Sequence, residues 1–256
     1  MENVSVGSLK QQIRVALDEN HVSTELTNLQ DTDTLTLDEL IVSKIEDAAE
    51  AVVRSAPIDM LSDIGEVLNE AYVVHSPAPY FLKMVLPANF LRLIRFKVTG
   101  WDYAVHEVVL PTRDMQMKLH SPYGVLGTVD RPVILISPTR VEAAVDPNDP
   151  LGENAATVEP IGSGTASLPT TTRSGLMLEA FCVPTGIIEL DNCLYAARPK
   201  ITTTTQDTTT IQQIQLGDRL IRPTVYYAAY LVASVVGEEK AAQNLLAVCK
   251  EMLNLQ

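Results

Sequence analysis

One stretch constrains the fold more than any other. Between residues 36 and 53, Leu37, Leu40, Ile41, Ile45, Ala48, Ala49, Val52 and Val53 recur three and four positions apart. That is the period of one face of an α-helix, so the stretch predicts an amphipathic helix with a buried apolar stripe. Thr36 and Glu39 form a T-x-x-E capping box at its start, in which each side chain serves a backbone N–H of the first turn. Asp38, Glu39, Glu46, Asp47 and Glu50 fall on the other faces and read as a solvated surface. Pro57 follows, and it disfavours helical geometry at Ala56, so the helix should stop there.

The period changes along the rest of the chain. Residues 8–17 predict a helix capped by Ser8, with Leu9, Ile13 and Leu17 on one face. A polar connector separates it from the helix just described, and residues 60–68 read as a further short helix. Residues 80–86 and 90–98 are β-like on either side of a Pro-Ala-Asn turn. The stretch 103–110 reads as a return strand, making a hairpin around residues 99–102. Residues 111–120 suggest another short helix, and 132–137, 176–183 and 187–196 read as strands. From Arg140 to Ser174 the chain is rich in Pro, Gly, Asn, Asp and Thr. So long a loop suits either a loose insertion or an extension that orders against a neighbouring subunit. The Thr-rich residues 201–210 fit an exposed strand or a linker. Residues 220–236 are apolar on most faces, which requires burial, within the domain or between subunits. After Gly237, residues 238–253 predict a last helix with Ala241, Leu245, Val248 and Met252 as its stripe. The short break implies an antiparallel helical hairpin.

The expected class is therefore α+β: N-terminal helices, central antiparallel β hairpins with long loops, and a C-terminal helical hairpin. The chain divides into an N-terminal helical segment (1–75), a β-rich region with the insertion 140–174 (76–200), and a Thr-rich linker with the helical hairpin (201–256). Together these read as one structural domain with extensions.

Charge narrows the function classes. The formal net charge is −13, with 19 scattered basic residues against 32 acidic ones. Gripping nucleic acid requires clustered Lys and Arg that release counterions from phosphate, so a tight DNA or RNA clamp is not expected. Basic residues gather once, at Lys83, Arg92, Arg95 and Lys97, but strand alternation puts Arg92 on the face opposite Arg95 and Lys97. Cys182, Cys193 and Cys249 are odd in number and lack C-x-x-C spacing, so they predict buried free thiols rather than disulfides or a zinc site. The opening MENVSVGSLKQQI has neither a basic nor an apolar leader region, so no signal peptide is expected. The apolar run 225–236 is too short to span a membrane.

No residue pattern assembles chemistry. His21, His75, His106 and His120 do not share metal-ligand spacing with another His, Cys, Asp or Glu on one predicted element. His106 and Glu107 are neighbours on a predicted strand and point to opposite faces. Residues 162–164 (Gly-Ser-Gly) lack the helix a phosphate loop needs. Asp146, Asn148, Asp149 and Glu153 are better explained by turn chemistry than by calcium binding. Trp101, the only tryptophan, sits with Tyr103 in the predicted hairpin turn, as packing at a sheet edge or as an exposed anchor for a partner. The expectation is a non-enzyme with no catalytic residues, no metal site and no cofactor. The alternative, a site assembled from scattered residues, would draw on His75, Asp102, His106 and Glu107.

Four stretches carry a family resemblance: SLKQQIRVALDEN, LTLDELIVSKIEDAAEAVVRSAP, VLPANFLRLIRFKVTGW and LIRPTVYYAAYLVASVVGEEKAAQNLLAVCKEML. In order and character they resemble the head-to-tail connector (adaptor or ring) proteins of short-tailed bacteriophages, most nearly those of crAss-like phages. The resemblance implies a virion structural protein, made in the host bacterial cytoplasm and located at the portal–tail junction. Such proteins form rings, usually of twelve copies, beneath the portal, and line the DNA exit channel during genome ejection. The implied partners are further copies in a dodecameric ring, the portal protein, and the tail hub or other ring proteins. DNA would pass without specific binding, and no membrane is involved. The same segments also suit another virion component: a tail-hub, head-completion or capsid-decorating protein.

Overall fold

The computed structural model describes residues 2–17, 36–68, 73–75, 81–108, 128–138, 173–183, 189–206 and 209–255. The expected helix at 111–120 and residues 140–172 of the insertion lie outside them. The class is α+β, with helices, antiparallel sheets and a C-terminal helical pair. The chain forms two compact units, Met1–Ile64 with Arg198–Gln256, and Gly65–Ala197. The units divide at 64/65 and 197/198, where the sequence segments divide at 75/76 and 200/201.

The first unit begins with β1 (Glu2–Ser5) and α1 (Val6–Ala16). The strand was not expected, and it moves the helix start upstream. Ser5, not Ser8, is the N-cap, and its side chain makes no capping bond. Leu9 and Ile13 are buried as expected, and Val6 joins them. Helix α2 (Leu37–Ser55) follows its sequence pattern closely. Both halves of the Thr36–Glu39 capping box form, and all eight residues of the stripe are buried. The helix ends at Ala56, whose extended backbone (φ −60°, ψ 143°) precedes Pro57. A single turn, α3 (Ile58–Leu61), and a 3-10 turn (Ser62–Ile64) close the segment. The short helix read over 60–68 stops there, because Gly65–Leu68 is strand β2 of the second unit.

The chain returns to the first unit as β9 (Ile201–Gln206) and β10 (Thr209–Leu216). Residues 201–206 of the Thr-rich segment are therefore a strand, β9, rather than a linker. It forms the edge of an antiparallel sheet ordered β1-β10-β9. Ile214 and Leu216 of β10 turn inward onto the helices. Helix α4 (Asp218–Val236) starts at Gly217, where an added Cβ would meet Ile64 Cγ2 at 3.0 Å. It ends at Gly237, whose φ of 90° is the left-handed cap that only glycine adopts without strain. Helix α5 (Glu239–Met252) turns back along α4. Its buried residues are Ala242, Leu245 and Cys249, so the stripe sits one position from that read through Ala241, Val248 and Met252.

The second unit is a pair of antiparallel sheets enclosing one core. One is β2-β8-β5, with β5 at Phe90–Arg95 and β8 at Cys193–Ala197. The other is β3-β4-β7-β6: Val73–His75, Phe81–Pro87, Arg173–Phe181 and Ile134–Pro138. Arg173 and Ser174, placed in the insertion by sequence, begin β7. Met84, Leu86, Phe96, Leu178 and Tyr195 contribute to the shared core. The turn at Ala88–Asn89 carries the chain from one sheet to the other, so β4 and β5 are not a paired hairpin. The hairpin around residues 99–102 shrinks to one bridge, Phe96 with Val105, and β5 pairs with β8 instead. Beyond β5, the Cys193 thiol accepts from Lys97 N (3.3 Å) and donates to Lys97 O (3.1 Å), completing both backbone groups.

Candidate interaction surfaces

The residues singled out in sequence do not converge. His21, His120, the Gly-Ser-Gly segment 162–164 and the acidic turn from Asp146 to Glu153 lie outside the described residues. His75 falls on β3. Asp102, His106 and Glu107 are exposed. His106 Nδ1 lies 2.8 Å from the Ile94 carbonyl oxygen. A carbonyl only accepts, so Nδ1 carries the proton and the ring is tied to the sheet. Neither His106 nor Glu107 lies on a regular strand, and both side chains face solvent. Among the described residues no three His, Cys, Asp or Glu are grouped to hold a metal.

Trp101 is 3% exposed. Its Nε1 donates to Cys182 O (2.9 Å) and its ring packs against Phe96. It is core packing, while the neighbouring Tyr103 is 69% exposed. The basic cluster is split between sheets. Lys83 pairs with Glu179 (3.3 Å) and Lys97 with Asp191 (3.2 Å). Burial holds the Arg92 guanidinium below its usual pKa. Cys193 and Cys249 are buried free thiols as expected, but Cys182 is only half-buried.

The polar face of α2 is used internally rather than merely solvated. Asp38 bridges two cations of α1, Lys10 Nζ at 2.8 Å and Arg14 Nε at 3.2 Å. Glu46 Oε1 accepts from Ile201 N (2.7 Å) at the start of β9. Glu50 binds Arg54 and also Arg198 (3.1 Å). One carboxylate row thus fastens α1, the returning chain and β9 to α2. Sequence reasoning missed this role because the partners are up to 155 residues away.

Three surface features of the first unit remain open. The first is a groove of about 470 Å³ among α1, α4 and α5. Val15, Ala16, Val225, Tyr226 and Met252 form its apolar wall, and Gln11, Gln12 and Arg222 its polar rim. The second is the α4–α5 turn, where Val235 is 59% and Val236 42% exposed beside Glu238 and Glu239. The third is the β9–β10 ribbon. β1 pairs with Gln213–Leu216, so among the described residues Thr209–Gln212 has β9 as its one strand neighbour. Thr202, Thr203, Thr204 and Thr205 are all exposed, so neither face of β9 is covered there by the described residues.

No helix among the described residues is long and apolar enough to cross a membrane. No protein-family model and no curated protein matches this chain.

Proposed function

We propose that this chain is a structural subunit of a phage head-to-tail connector: a ring that joins portal to tail and lines the DNA exit channel. The observation that carries the reading is the unfinished sheet of the first unit. A two-stranded ribbon is marginal alone in water, and stable sheets add a third strand or a covering layer. Among the described residues the outer part of β9–β10 has no third strand, and Thr202, Thr203, Thr204 and Thr205 are exposed. Its edge strand, ITTTTQ, also lacks the charges and proline that blunt exposed edges. Such an edge suits a chain whose neighbours in an assembly complete it.

Charge supports the same reading. A chain with net charge −13 repels the phosphate backbone, so DNA can pass without counterion-driven sticking. The resemblance noted above supplies the particular assembly.

The test is a mass measurement of the purified chain with and without the portal of the same particle. The expected result is a monomer or weak associate alone and a ring-sized, portal-bound species in the mixture. A stable dimer that ignores portal would remove the reading.

A further inference from the structure

The groove and the turn of the helical hairpin lie at opposite ends of the same hairpin. Arg222, Val225 and Tyr226 belong to the early turns of α4, and Met252 is the last residue of α5. Val235, Val236, Glu238 and Glu239 surround Gly237, where the two helices join. About ten residues of α4 separate the two features, or roughly 15 Å at 1.5 Å per residue. One copy therefore cannot fill its own groove with its own turn.

The two surfaces are complementary in chemistry. The groove has an apolar wall and a cationic rim, where Arg222 is exposed and forms no ion pair among the described residues. The turn presents two exposed valines followed by two exposed glutamates. Val235 and Val236 stand outside the unit's core, while Val225, Ala16 and Tyr226 join the groove wall to it. Exposed apolar side chains beside a matching charge are what a specific contact desolvates at its centre and orients at its rim.

We infer that the α4–α5 turn of one copy docks in the α1/α4/α5 groove of the next, with Val235 and Val236 on the apolar wall and Glu238 and Glu239 at Arg222. This contact deepens the ring reading and rests on it. It joins two different patches, so it is head-to-tail, and repeated rotation of such a contact closes a ring. A two-fold dimer would instead use one patch twice.

Disulfide trapping on the full chain, alone and with portal, tests the contact. Gln12→Cys and Val236→Cys place one thiol on each surface, and the single variants control for the native cysteines. Under mild oxidation the double variant should give a ladder of dimers, trimers and longer covalent chains, while each single variant stops at dimer. Glu238→Lys with Glu239→Lys should weaken association about tenfold. Adding Arg222→Glu to that chain should restore it, an outcome that a folding defect would not produce. A double variant that remains monomeric or stops at dimer overturns the contact, as does a ladder indifferent to charge reversal. Portal-bound rings without a ladder would leave the ring reading standing and remove this contact. A ladder without portal-bound rings would do the reverse.

Discussion

The thiol of Cys249 donates a hydrogen bond to the carbonyl oxygen of Pro223 across 3.4 Å. This fixes the last turns of α5 beside the early turns of α4 and makes the hairpin antiparallel. It also places a thiol where water is excluded. Burial raises the Cys249 pKa from 9.0 to about 11. As pH rises through 9.0 the unfolded chain ionises first, while the folded thiol holds its proton to about 11. The stability it contributes is therefore complete below pH 9 and lost above it. In urea titrations, the advantage of the wild type over Cys249→Ser should shrink between pH 8 and pH 10.5. An unchanged gap, or rapid labelling of Cys249 by a thiol reagent at pH 8, would contradict the assignment.

The start of α2 makes a second expectation. Thr36 Oγ1 accepts from Glu39 N (3.3 Å), and Glu39 Oε2 accepts from Thr36 N (2.9 Å). Thr36→Ala should cost about 1 kcal/mol, read as a shift in the urea midpoint. The Thr36 backbone N–H, then its hydroxyl, hold the Glu39 carboxyl below its usual pKa. Its contribution is thus present above the usual carboxylate pKa and disappears as pH falls through the depressed one. Glu39→Gln should flatten the acid limb of the stability curve; a limb as steep as the wild type would exclude this role.

Asp38 ties α1 to α2 through Lys10 and Arg14. The carboxylate is 37% exposed, so screening limits the loss in Asp38→Asn to about 1 kcal/mol. The loss should shrink at high salt. In a double-mutant cycle, Arg14→Met should cost less once Asp38 is already replaced. Additive costs would show that the pair does not act together.

Core and turn should respond differently to truncation. Ile45 is fully buried between helices, and Ile45→Ala should cost about 3 kcal/mol by denaturant unfolding. Val235 is 59% exposed, and Val235→Ser should change stability by less than about 0.5 kcal/mol. A large stability loss at Val235 would place it inside the unit's own packing rather than at a contact surface.

The sequence made some of this architecture legible, and the reasons are physical. The stripe of α2 was readable in full because nineteen helical residues repeat one period over five turns and carry their own cap. The end at Ala56 was readable because Pro57 acts locally. In α5 the stripe was displaced because Cys249 was not counted as an apolar contact, although its buried thiol is the inward residue. Strand β1 offers four residues, only one of them a large aliphatic, and exists because β10 pairs with it. The return strand was misread because β5 finds β8 about a hundred residues later, a pairing no local pattern encodes. The same distance hid the Glu66–Tyr195 hydrogen bond (2.5 Å), where Asn89 joins to pin three chain segments. The candidate surfaces were only half visible. The threonines of β9 and the glutamates after Gly237 stand in the sequence, but the groove needs α1 and the helical hairpin brought together.

The most direct test of the central claim is high-resolution imaging of the intact phage particle, with density assigned to this chain. The expected result is a dodecameric ring of this protein directly beneath the portal, with DNA on its axis. Density for the chain on the capsid surface or in the tail hub, or its absence from the particle, would contradict the account.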